Sequence, residues 1–460
     1  MELPKHHRTF ATALRQRRQK LANLINFPAI LWSGRAISRN YPALTFPFRA
    51  SSHFLYFGGL PLENAAIRLE SGKLELFLDD APPSSALWHG EMPNRAEIAE
   101  FIGADAAFPM TELASRATGA ATIALSDDLT QQQQSHILNR RIHAANSPAG
   151  IDLELTQAIV TLRLSHDPAA LTELRQAAAV TVEAHRAGMA ATPKAQLEAG
   201  VRAAIEQVFI AHNMTCSYPS IVTVQGEVLH NEQYHHPLQP GDLLLVDAGA
   251  ETALGWAADV TRTWPVSGQF SATQREIYHL VLAAHDACIA KIKAGVEYRD
   301  IHLLAAVTIA EGLVDLGILR GQPQDLVEMD AHALFFVHGI GHLIGLDVHD
   351  MEDFWDLAGY QAGRSRSQRF GLCYLRLDRT LQPGMLVSIE PGFYQVPAIL
   401  NDPENREKYR DVVNWEQLEK FADVRGIRIE DDVLVTETGT EVLTTQLPSQ
   451  ADEVEQLVRG

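Results

Sequence analysis

Cysteine is scarce in this sequence, and none of it lies in a paired motif. The three cysteines in 460 residues are Cys216, Cys288 and Cys373, which are widely spaced and form no CxxC pair. An odd, scattered set is typical of reduced thiols in a cytosol-like compartment and excludes a disulfide-stapled secreted scaffold. The sequence therefore predicts a cytoplasmic protein whose fold depends on a hydrophobic core.

Long apolar segments and an excess of basic charge are missing as well. No apolar run approaches the roughly 20 residues that cross a bilayer, and no signal-peptide core is present. The 38 Lys and Arg residues face 57 Asp and Glu residues, so the formal net charge is -19. This charge argues against nucleic acid or an anionic membrane as a partner. We expect neither to bind.

The N-terminal segment 10–27 is locally basic and almost free of acids, so an organellar transit peptide is one interpretation. Its apolar residues follow helical spacing, and a predicted strand follows at 29–32. A first helix of the fold is the simpler interpretation.

The pattern up to residue 166 predicts an α/β domain without metal or nucleophile spacing. Its predicted strands lie at 29–32, 54–57 and 122–126 and in a hairpin of 66–69 with 74–78. Its later helices are predicted at 95–102 and 131–144. The domain ends at His166, because Asp167 can cap a new helix and Pro168 can begin it.

Residues 167–460 repeat one order of elements twice, with two helices followed by strands. The first helix pair is predicted at 169–189 and 194–212. The second pair is predicted at 271–295 and 299–316, and a capping box at Ser271 and Gln274 begins it. The repetition indicates an α+β domain made of two related halves.

Two predicted strands of the first half each supply one carboxylate. Asp247 ends the apolar run Leu243–Val246, and Asp259 lies in a second, alternating strand, where it shares a face with Thr261 and Thr263. A turn containing Gly249 and Gly255 would bring both acids together, and adjacent buried acids repel unless a cation lies between them. The alternative is that Asp247 is an ordinary turn residue before Gly249 and that Asp259 is an ordinary surface acid.

The second half supplies two more strand-borne acids and a run of histidines. Glu390 shares a strand face with Ser388, and Glu430 shares one with Arg428. The run FFVHGIGHLIGLDVHD contains three histidines. Two of them have the spacing of a zincin helix, but the glycines between them disfavour a helix and the zincin glutamate is missing. A lone histidine here is often a core residue; four nearby carboxylates favour one as a metal ligand.

Five motifs combine into a pattern that resembles a known family. They are VDAG, DVTRT, HGIGHLIGLDVHD, IEPGFY and GIRIEDDV, which contain Asp247, Asp259, His342, Glu390 and Glu430. Together they resemble the five-ligand site of the pita-bread metallopeptidases, which include methionine aminopeptidase, aminopeptidase P and prolidase. FPFRASSHFLYFGGL and SSALWHG resemble the N-terminal domain that aminopeptidase P and prolidase share. The spacing of the two aspartates is one residue longer than this family's pattern.

The resemblance implies an α/β aminopeptidase P-type N-terminal domain over 1–166. It implies a pita-bread catalytic domain over 167–460, with two pseudo-related halves and an antiparallel sheet with flanking helices. It also implies two divalent metal ions. Manganese (Mn2+) is favoured, because four carboxylates and one imidazole are mainly hard donors.

The roles of individual residues also follow from the resemblance. Asp247 is expected to bind one ion and His342 with Glu390 the other, while Asp259 and Glu430 bridge both. The two ions would share a water as hydroxide, and Glu390 would accept its proton. The remaining roles are oxyanion stabilisation by His349 and His230 and support of the substrate by His338, Arg376, Tyr394 and Arg428.

The expected function is that of a metal-dependent Xaa-Pro aminopeptidase, which hydrolyses the bond between an N-terminal residue and a following proline. Xaa-Pro dipeptidase is the alternative, because LRLDRTLQPGM is similar to a prolidase stretch whose arginine binds a dipeptide carboxylate. In that stretch Arg376 is either this arginine or one of several surface arginines.

A non-catalytic pita-bread binding protein and a metal-free hydrolase are the remote alternatives, and the five intact ligands argue against both. The expected partners are peptides with proline at the second position. Further copies of the chain, in a dimeric or tetrameric homo-oligomer, are expected as well.

Overall fold

The computed structural model describes residues 7–460, with side chains from Phe10 onward, and the chain divides into two compact units. The first unit contains the chain up to Ala169 together with Met351–Ala358, and the second contains Ala170–Asp350 and Gly359–Gly460. No sequence pattern indicates that Met351–Ala358 belongs with the first unit. Within residues 7–460, no helix is long and apolar enough to span a bilayer.

The first unit is an α/β fold around a five-stranded mixed sheet with the order β6-β5-β4-β1-β7. The strands of this unit are β1 Ala29–Trp32, β2 Ser38–Tyr41, β3 Leu44–Thr45, β4 Ala66–Glu70, β5 Lys73–Phe77, β6 Ala106–Phe108 and β7 Ala121–Thr122. Its helices are α1 His7–Ala22, α2 Ser52–Gly58, α3 Ala86–His89, α4 Arg95–Ile102, α5 Asp128–Ile137 and α6 Ile151–Arg163. Buried apolar residues of β1, β4 and β5 form one core cluster together with Leu113, Ala117 and Ala120.

The structure confirms the predicted hairpin of β4 and β5 and the predicted helix α4. The strand predicted at 54–57 is wrong. This segment lies in α2, because the Ser51 hydroxyl accepts a hydrogen bond from the Phe54 amide and caps the helix. Gly59 then ends the helix in the left-handed region at φ 77°. A side chain at Gly59 would also lie 2.5 Å from the Phe10 ring. Local capping therefore outweighed a run of strand-forming aromatic residues.

The second unit alternates helices with short antiparallel strands, as the sequence predicts. Its helices are α7 Pro168–Ala191, α8 Glu198–Ala211, α9 Ala272–Lys291, α10 Tyr298–Asp315, α11 Pro323–Glu328, α13 Pro397–Leu400, α14 Pro403–Lys408, α15 Trp415–Glu419 and α16 Ala451–Arg459. The first two residues of α7 belong to the first unit, as does α12 Asp356–Gly359 up to Ala358. Its strands are β8 Thr215–Cys216, β9 Ile221–Thr223, β10 Leu243–Asp247, β11 Ala250–Glu251, β12 Thr261–Pro265, β13 Leu386–Ile389, β14 Gly392–Tyr394, β15 Gly426–Arg428, β16 Asp431–Val435 and β17 Thr440–Val442.

Two three-stranded antiparallel sheets of the second unit position the acids. They have the orders β12-β10-β9 and β13-β16-β17. In the first sheet Asp247 pairs with Thr261, and in the second Ile389 pairs with Asp431. The helix α9 begins at the predicted capping box, where the Ser271 hydroxyl accepts from the Gln274 amide. It packs against β13, β14 and β15.

Candidate metal centre

The first half of the second unit brings Asp247 and Asp259 together. Asp247 is the last residue of β10, whereas Asp259 lies two residues before β12 rather than inside a strand. Gly249 makes the turn between them possible, since a Cβ there would lie 1.8 Å from the Ala258 carbonyl oxygen. The two carboxylates meet at one hydroxyl, because the Tyr218 oxygen lies 2.5 Å from an oxygen of each.

Sequence reasoning missed Tyr218, and a lone tyrosine before a proline carries no spacing that would have indicated it. Its hydroxyl has one proton and can donate to one carboxylate at a time. The other carboxylate must therefore be protonated or share a cation. Two acids that bind one positive ion would also have to lie this close together.

The second half adds Glu390 and Glu430 through backbone hydrogen bonds. The Glu390 amide donates to the Ile340 carbonyl at 2.9 Å, and the Glu430 amide donates to the Thr261 carbonyl at 3.0 Å. The Thr261 hydroxyl also donates to Glu430 Oε2 at 2.7 Å. Glu430 Oε1 is buried and has no hydrogen-bond partner. A buried carboxylate oxygen without a partner is costly, so this atom fits a missing positive ligand.

His342 lies against these acids in a non-helical segment, which confirms that no zincin helix is present. Its Nε2 lies 3.3 Å from an Asp259 oxygen and 3.5 Å from a Glu390 oxygen. Its Nδ1 donates to the Leu343 carbonyl at 3.1 Å, which leaves Nε2 available to a metal ion. Gly341 permits this approach, because a Cβ there would lie 2.2 Å from the Ser388 carbonyl oxygen.

Burial and mutual repulsion raise the pKa of most of these acids. Burial, opposed by Arg428, raises the pKa of Asp247 to about 6, and burial raises that of Glu390 to about 7. Burial and the neighbouring acids raise the pKa of Glu430 well above its usual range. Burial acts the same way on Asp259, but hydrogen bonds from His342 and Tyr218 lower its pKa overall. The cluster therefore holds more negative charge than its own cations offset.

A divalent metal ion fits this donor set. Ligand atoms of Asp259, His342 and Glu430 all lie within 4.8 Å of one another, and the three residues are buried. Carboxylate oxygens and one imidazole suit hard or borderline divalent ions. The raised pKa values and the partnerless Glu430 oxygen show that bound positive charge would stabilise the ionised cluster.

Three of the four predicted supporting residues, His338, Tyr394 and Arg428, form a continuous hydrogen-bonded chain beside the acids. Arg428 donates to Asp247 at 2.5 Å and to the Tyr394 hydroxyl at 3.0 Å. His338 Nδ1 donates to the Gly339 carbonyl at 2.8 Å, so its Nε2 accepts from the Tyr394 hydroxyl at 2.8 Å. Burial lowers the pKa of His338 to about 3, which keeps it neutral. These hydrogen bonds link the buried guanidinium of Arg428 to the neutral imidazole of His338.

Of the other predicted residues, His349 lies beside His342, and the charge of Arg376 acts on both His349 and His230. The His349 ring lies 4.3 Å from the His342 ring, and burial strongly lowers the pKa of His349. His230 is exposed, and burial of part of its ring, with the charges of Arg428 and Arg376, lowers its pKa. The backbone just before Arg376 lies against Gly339, because a Cβ at Gly339 would lie 3.0 Å from the Leu375 Cα.

Comparison with known proteins agrees with this geometry. The pattern of Metallopeptidase family M24 matches residues 172–437, and that of the aminopeptidase P N-terminal domain matches residues 14–124. The chain belongs to metallopeptidase family M24. Family M24 membership confirms the predicted resemblance, the aminopeptidase P-type N-terminal domain and the pita-bread fold. It also makes the chain a metal-dependent hydrolase that uses divalent ions.

Individual relatives of this M24 chain resemble it over almost their whole length. A probable Xaa-Pro aminopeptidase of Fusarium vanettenii is 33% identical over 429 residues, covering 90% of this chain and 87% of that protein. The structure of Pseudomonas aeruginosa aminopeptidase PepP matches with a TM-score of 0.80 and 28% identity, covering 98% of both chains. Aminopeptidase P from Escherichia coli with the inhibitor Pro-Leu matches with a TM-score of 0.77 and 27% identity, also covering 98% of both.

Proposed function

We propose that this M24 metallopeptidase is a Xaa-Pro aminopeptidase that releases the N-terminal residue of a peptide whose second residue is proline. One observation carries the proposal: the five predicted ligands converge on one buried, negatively charged cluster. The relatives support the substrate class, since the similar proteins include Xaa-Pro aminopeptidases. A structure of the Escherichia coli enzyme with Pro-Leu supports recognition of a proline residue.

The cluster is proposed to hold two divalent ions, with manganese favoured by the hard oxygen donors. Asp247 would bind one ion and His342 with Glu390 the other, while Asp259 and Glu430 would contact both. Bound ions of this kind polarise a peptide carbonyl and lower the pKa of water. A zinc-substituted form of the Escherichia coli enzyme is also known, so metal exchange belongs in any test.

Glu390 is proposed to take the proton of the attacking water and deliver it to the leaving proline nitrogen. Glu390 directly follows β13, and its carboxylate lies 3.5 Å from His342 Nε2, among the proposed metal ligands, where a positioned carboxylate can act as a general base and acid. The backbone hydrogen bond from the Glu390 amide fixes its position. This role needs a carboxylate that accepts and then releases one proton.

His349 and His230 are proposed to donate hydrogen bonds to the oxygen of the tetrahedral intermediate. Their lowered pKa values support neutral imidazoles, each with one N–H to donate. Tyr394 and Arg428 would orient His338 and Asp247 through the chain described above. Neutral donors in a largely buried site stabilise a developing negative charge effectively.

A matched peptide panel tests the proposal directly. Xaa-Pro-Yaa tripeptides, longer Xaa-Pro peptides, Xaa-Pro dipeptides and Xaa-Ala controls are incubated with chelated protein and with added manganese. We expect no turnover without metal and manganese-dependent release of the first residue only from peptides with proline second. Equal cleavage of Xaa-Ala peptides, or full activity without bound metal, would contradict the proposal.

Xaa-Pro dipeptidase activity is the second candidate, because the charge of Arg376 affects the pKa of three histidines predicted for the site. Burial is the main cause of the lowered pKa of His230, His338 and His349, and the positive charge of Arg376 lowers each of them further. A guanidinium is the natural partner of a free carboxylate. If it binds the dipeptide carboxylate, Arg376→Ala should raise KM for dipeptides and leave KM for longer peptides unchanged. Efficient cleavage of long peptides with unchanged dipeptide kinetics would exclude this candidate.

Four further properties remain proposals for this chain. They are the domain boundary at 166/167, a cytoplasmic location, a homo-oligomeric state, and the lack of membrane and nucleic-acid partners. The free thiols at Cys216, Cys288 and Cys373 support the location. Light scattering of the purified protein measures the oligomeric state.

A further inference from the structure

A short turn from the metallopeptidase part of the sequence packs within the first unit. The segment Met351–Ala358 belongs to that unit, and it contains a 3₁₀ turn at Glu352–Phe354. The His53 ring stacks on the Phe354 ring at 4.5 Å with an interplanar angle of 16°. His53 Nε2 lies 2.8 Å from an Asp353 oxygen. Both His53 and Phe354 are buried.

A buried arginine determines how His53 holds this turn. Arg163 Nη1 lies 2.8 Å from His53 Nδ1. A guanidinium has no acceptor, so Nδ1 must accept, and the ring proton lies on Nε2, where it donates to Asp353. Arg163, His53 and Asp353 therefore form a directed chain from a buried cation to a carboxylate. We call these three residues the clamp.

The backbone at both ends of the turn is strained, which is why it needs holding. Met351 has φ 61° and Trp355 has φ 51°. Of the five other non-glycine residues with positive φ in the described part of the chain, four are Asn or Asp, types that tolerate this region. A residue in this conformation costs about 1–3 kcal/mol and persists only where its surroundings enforce it.

The strained turn begins two residues after His349. Between them, the Asp350 amide donates to the Leu343 carbonyl at 2.9 Å, which fixes one side of the His349 backbone. The strained Met351 follows Asp350 on this same, C-terminal side of His349. A strained connection that lost its support would relax, and the backbone of His349 would move with it.

We propose that His53 and Arg163 are positioning residues for the reaction, because the clamp holds the turn that sets the backbone of His349. This inference rests on the oxyanion role proposed for His349. All three clamp residues and the turn belong to the first unit, and the turn connects to His349 through Asp350. Misplacing a reacting or stabilising group by about 1 Å can cost about 10²-fold in rate.

The first test measures kcat of His53→Ala in two backgrounds, with an Xaa-Pro-Yaa tripeptide and manganese. In the otherwise wild-type enzyme we expect kcat to fall about 10- to 100-fold with KM little changed. In the His349→Ala enzyme we expect no further fall, since residues that act through one group are not additive. The same fractional loss in both backgrounds would overturn the proposal.

Two variants separate positioning from a general loss of stability. His53→Gln keeps an acceptor oxygen and a donor nitrogen, so we expect it to recover part of kcat. Arg140→Ala is the matched control, because Arg140 donates to both oxygens of the buried Asp152 at 2.6 and 2.7 Å in the same unit. It should lower the melting temperature without the selective loss of kcat. An equal kcat loss in Arg140→Ala would contradict the clamp.

The second test is hydrogen exchange, which does not depend on the substrate. His53→Ala should speed amide exchange in residues 349–355, while Arg140→Ala should not. If wild-type protein fails to cleave Xaa-Pro peptides, the proposed function fails, and the exchange result still decides whether the clamp holds the turn. Unchanged exchange in His53→Ala would overturn the clamp even in an active enzyme.

Discussion

Two neighbouring acids of the second unit, Glu430 and Asp431, are both buried and lie in opposite electrostatic surroundings. Glu430 faces the acid cluster, and one of its oxygens has no hydrogen-bond partner. Asp431 faces the other way, where Arg262 Nη2 donates to its two oxygens at 2.9 and 3.0 Å. The Thr444 hydroxyl donates to it at 2.5 Å.

The pKa values of the two acids move in opposite directions for this reason. Burial acts to raise both, but Arg262 and His285 lower the pKa of Asp431 to about 2. Burial and three acids raise the pKa of Glu430 instead, with Arg428 opposing at 3.9 Å. Burial of an acid therefore does not by itself indicate a functional site. The missing positive charge distinguishes the metal centre from the structural ion pair behind it.

The largest predicted effect concerns Glu390 and His349, which lie at the acid cluster that lacks balancing positive charge. Glu390→Gln and His349→Ala should each lower kcat by about 10²–10⁴-fold, because each removes a positioned proton acceptor or oxyanion donor. Steady-state kinetics with an Xaa-Pro-Yaa tripeptide measures the loss. Circular dichroism and metal analysis serve as controls, since both variants should stay folded. Near wild-type turnover in either variant would mean that its residue has another role.

The next prediction compares the two neighbouring acids by their effect on stability. In metal-free protein, Asp431→Asn should lower the free energy of unfolding by about 3–5 kcal/mol, because it leaves the charge of Arg262 buried without its partner. Glu430→Gln should be neutral or stabilising there, because it removes like-charge repulsion. Urea denaturation measures both. If Glu430→Gln destabilised the metal-free protein as much as Asp431→Asn, the contrast would be false.

The pH dependence of metal-free protein should show the same contrast. The folded-state pKa of Glu390 is raised from 4.5 to about 7, so its contribution to stability is full below about pH 4.5 and is lost as pH rises through about 7. The pKa of Asp431 is lowered, so its contribution has the opposite sign and is lost only as pH falls toward about 2.

Urea denaturation of metal-free wild type and Glu390→Gln across this window isolates the contribution of Glu390. As pH rises, the free energy of unfolding of wild type should fall relative to that of Glu390→Gln. Added manganese should remove the change. A constant difference across the window would show that Glu390 does not titrate there.

Periodicity and motif spacing predicted much of this arrangement. Alternation placed Glu430 on one strand face with Arg428, but in the structure Glu430 lies between β15 and β16 rather than inside a strand. The glycines in HGIGHLIG excluded a zincin helix. These features are local, so the sequence carries them directly. The strand predicted at 54–57 failed for a related reason, because a single capping hydroxyl at Ser51 outweighed the aromatic pattern.

Long-range pairing is the part that the sequence did not carry. Nothing near Asp431 indicates Arg262 as its partner, since 169 positions separate them. The same holds for His53 and Asp353, which are 300 positions apart. Such contacts depend on how distant strands and turns meet, and one sequence offers no periodicity that encodes them.

The smallest predicted effect concerns Tyr218, a residue that lies between two acids of the unbalanced cluster. Its hydroxyl lies 2.5 Å from Asp247 and 2.5 Å from Asp259, so it holds the two carboxylates near each other without offering positive charge. Removing the hydroxyl keeps the ring and its packing but releases that restraint. Loss of an outer hydrogen bond to a metal ligand typically costs about 10–100-fold in metal affinity.

Tyr218→Phe should therefore weaken manganese binding by about that factor, measured by calorimetric titration of chelated protein. At saturating manganese its kcat should approach that of wild type, because the hydroxyl contacts the ligands rather than the substrate. Tyr234→Phe is a suitable control, since its hydroxyl donates to the Ser220 carbonyl at 2.7 Å and not to a proposed ligand. If both variants bound manganese as tightly as wild type, the restraint at Tyr218 would contribute nothing to the metal centre. The charge imbalance of the acids would then account for binding alone.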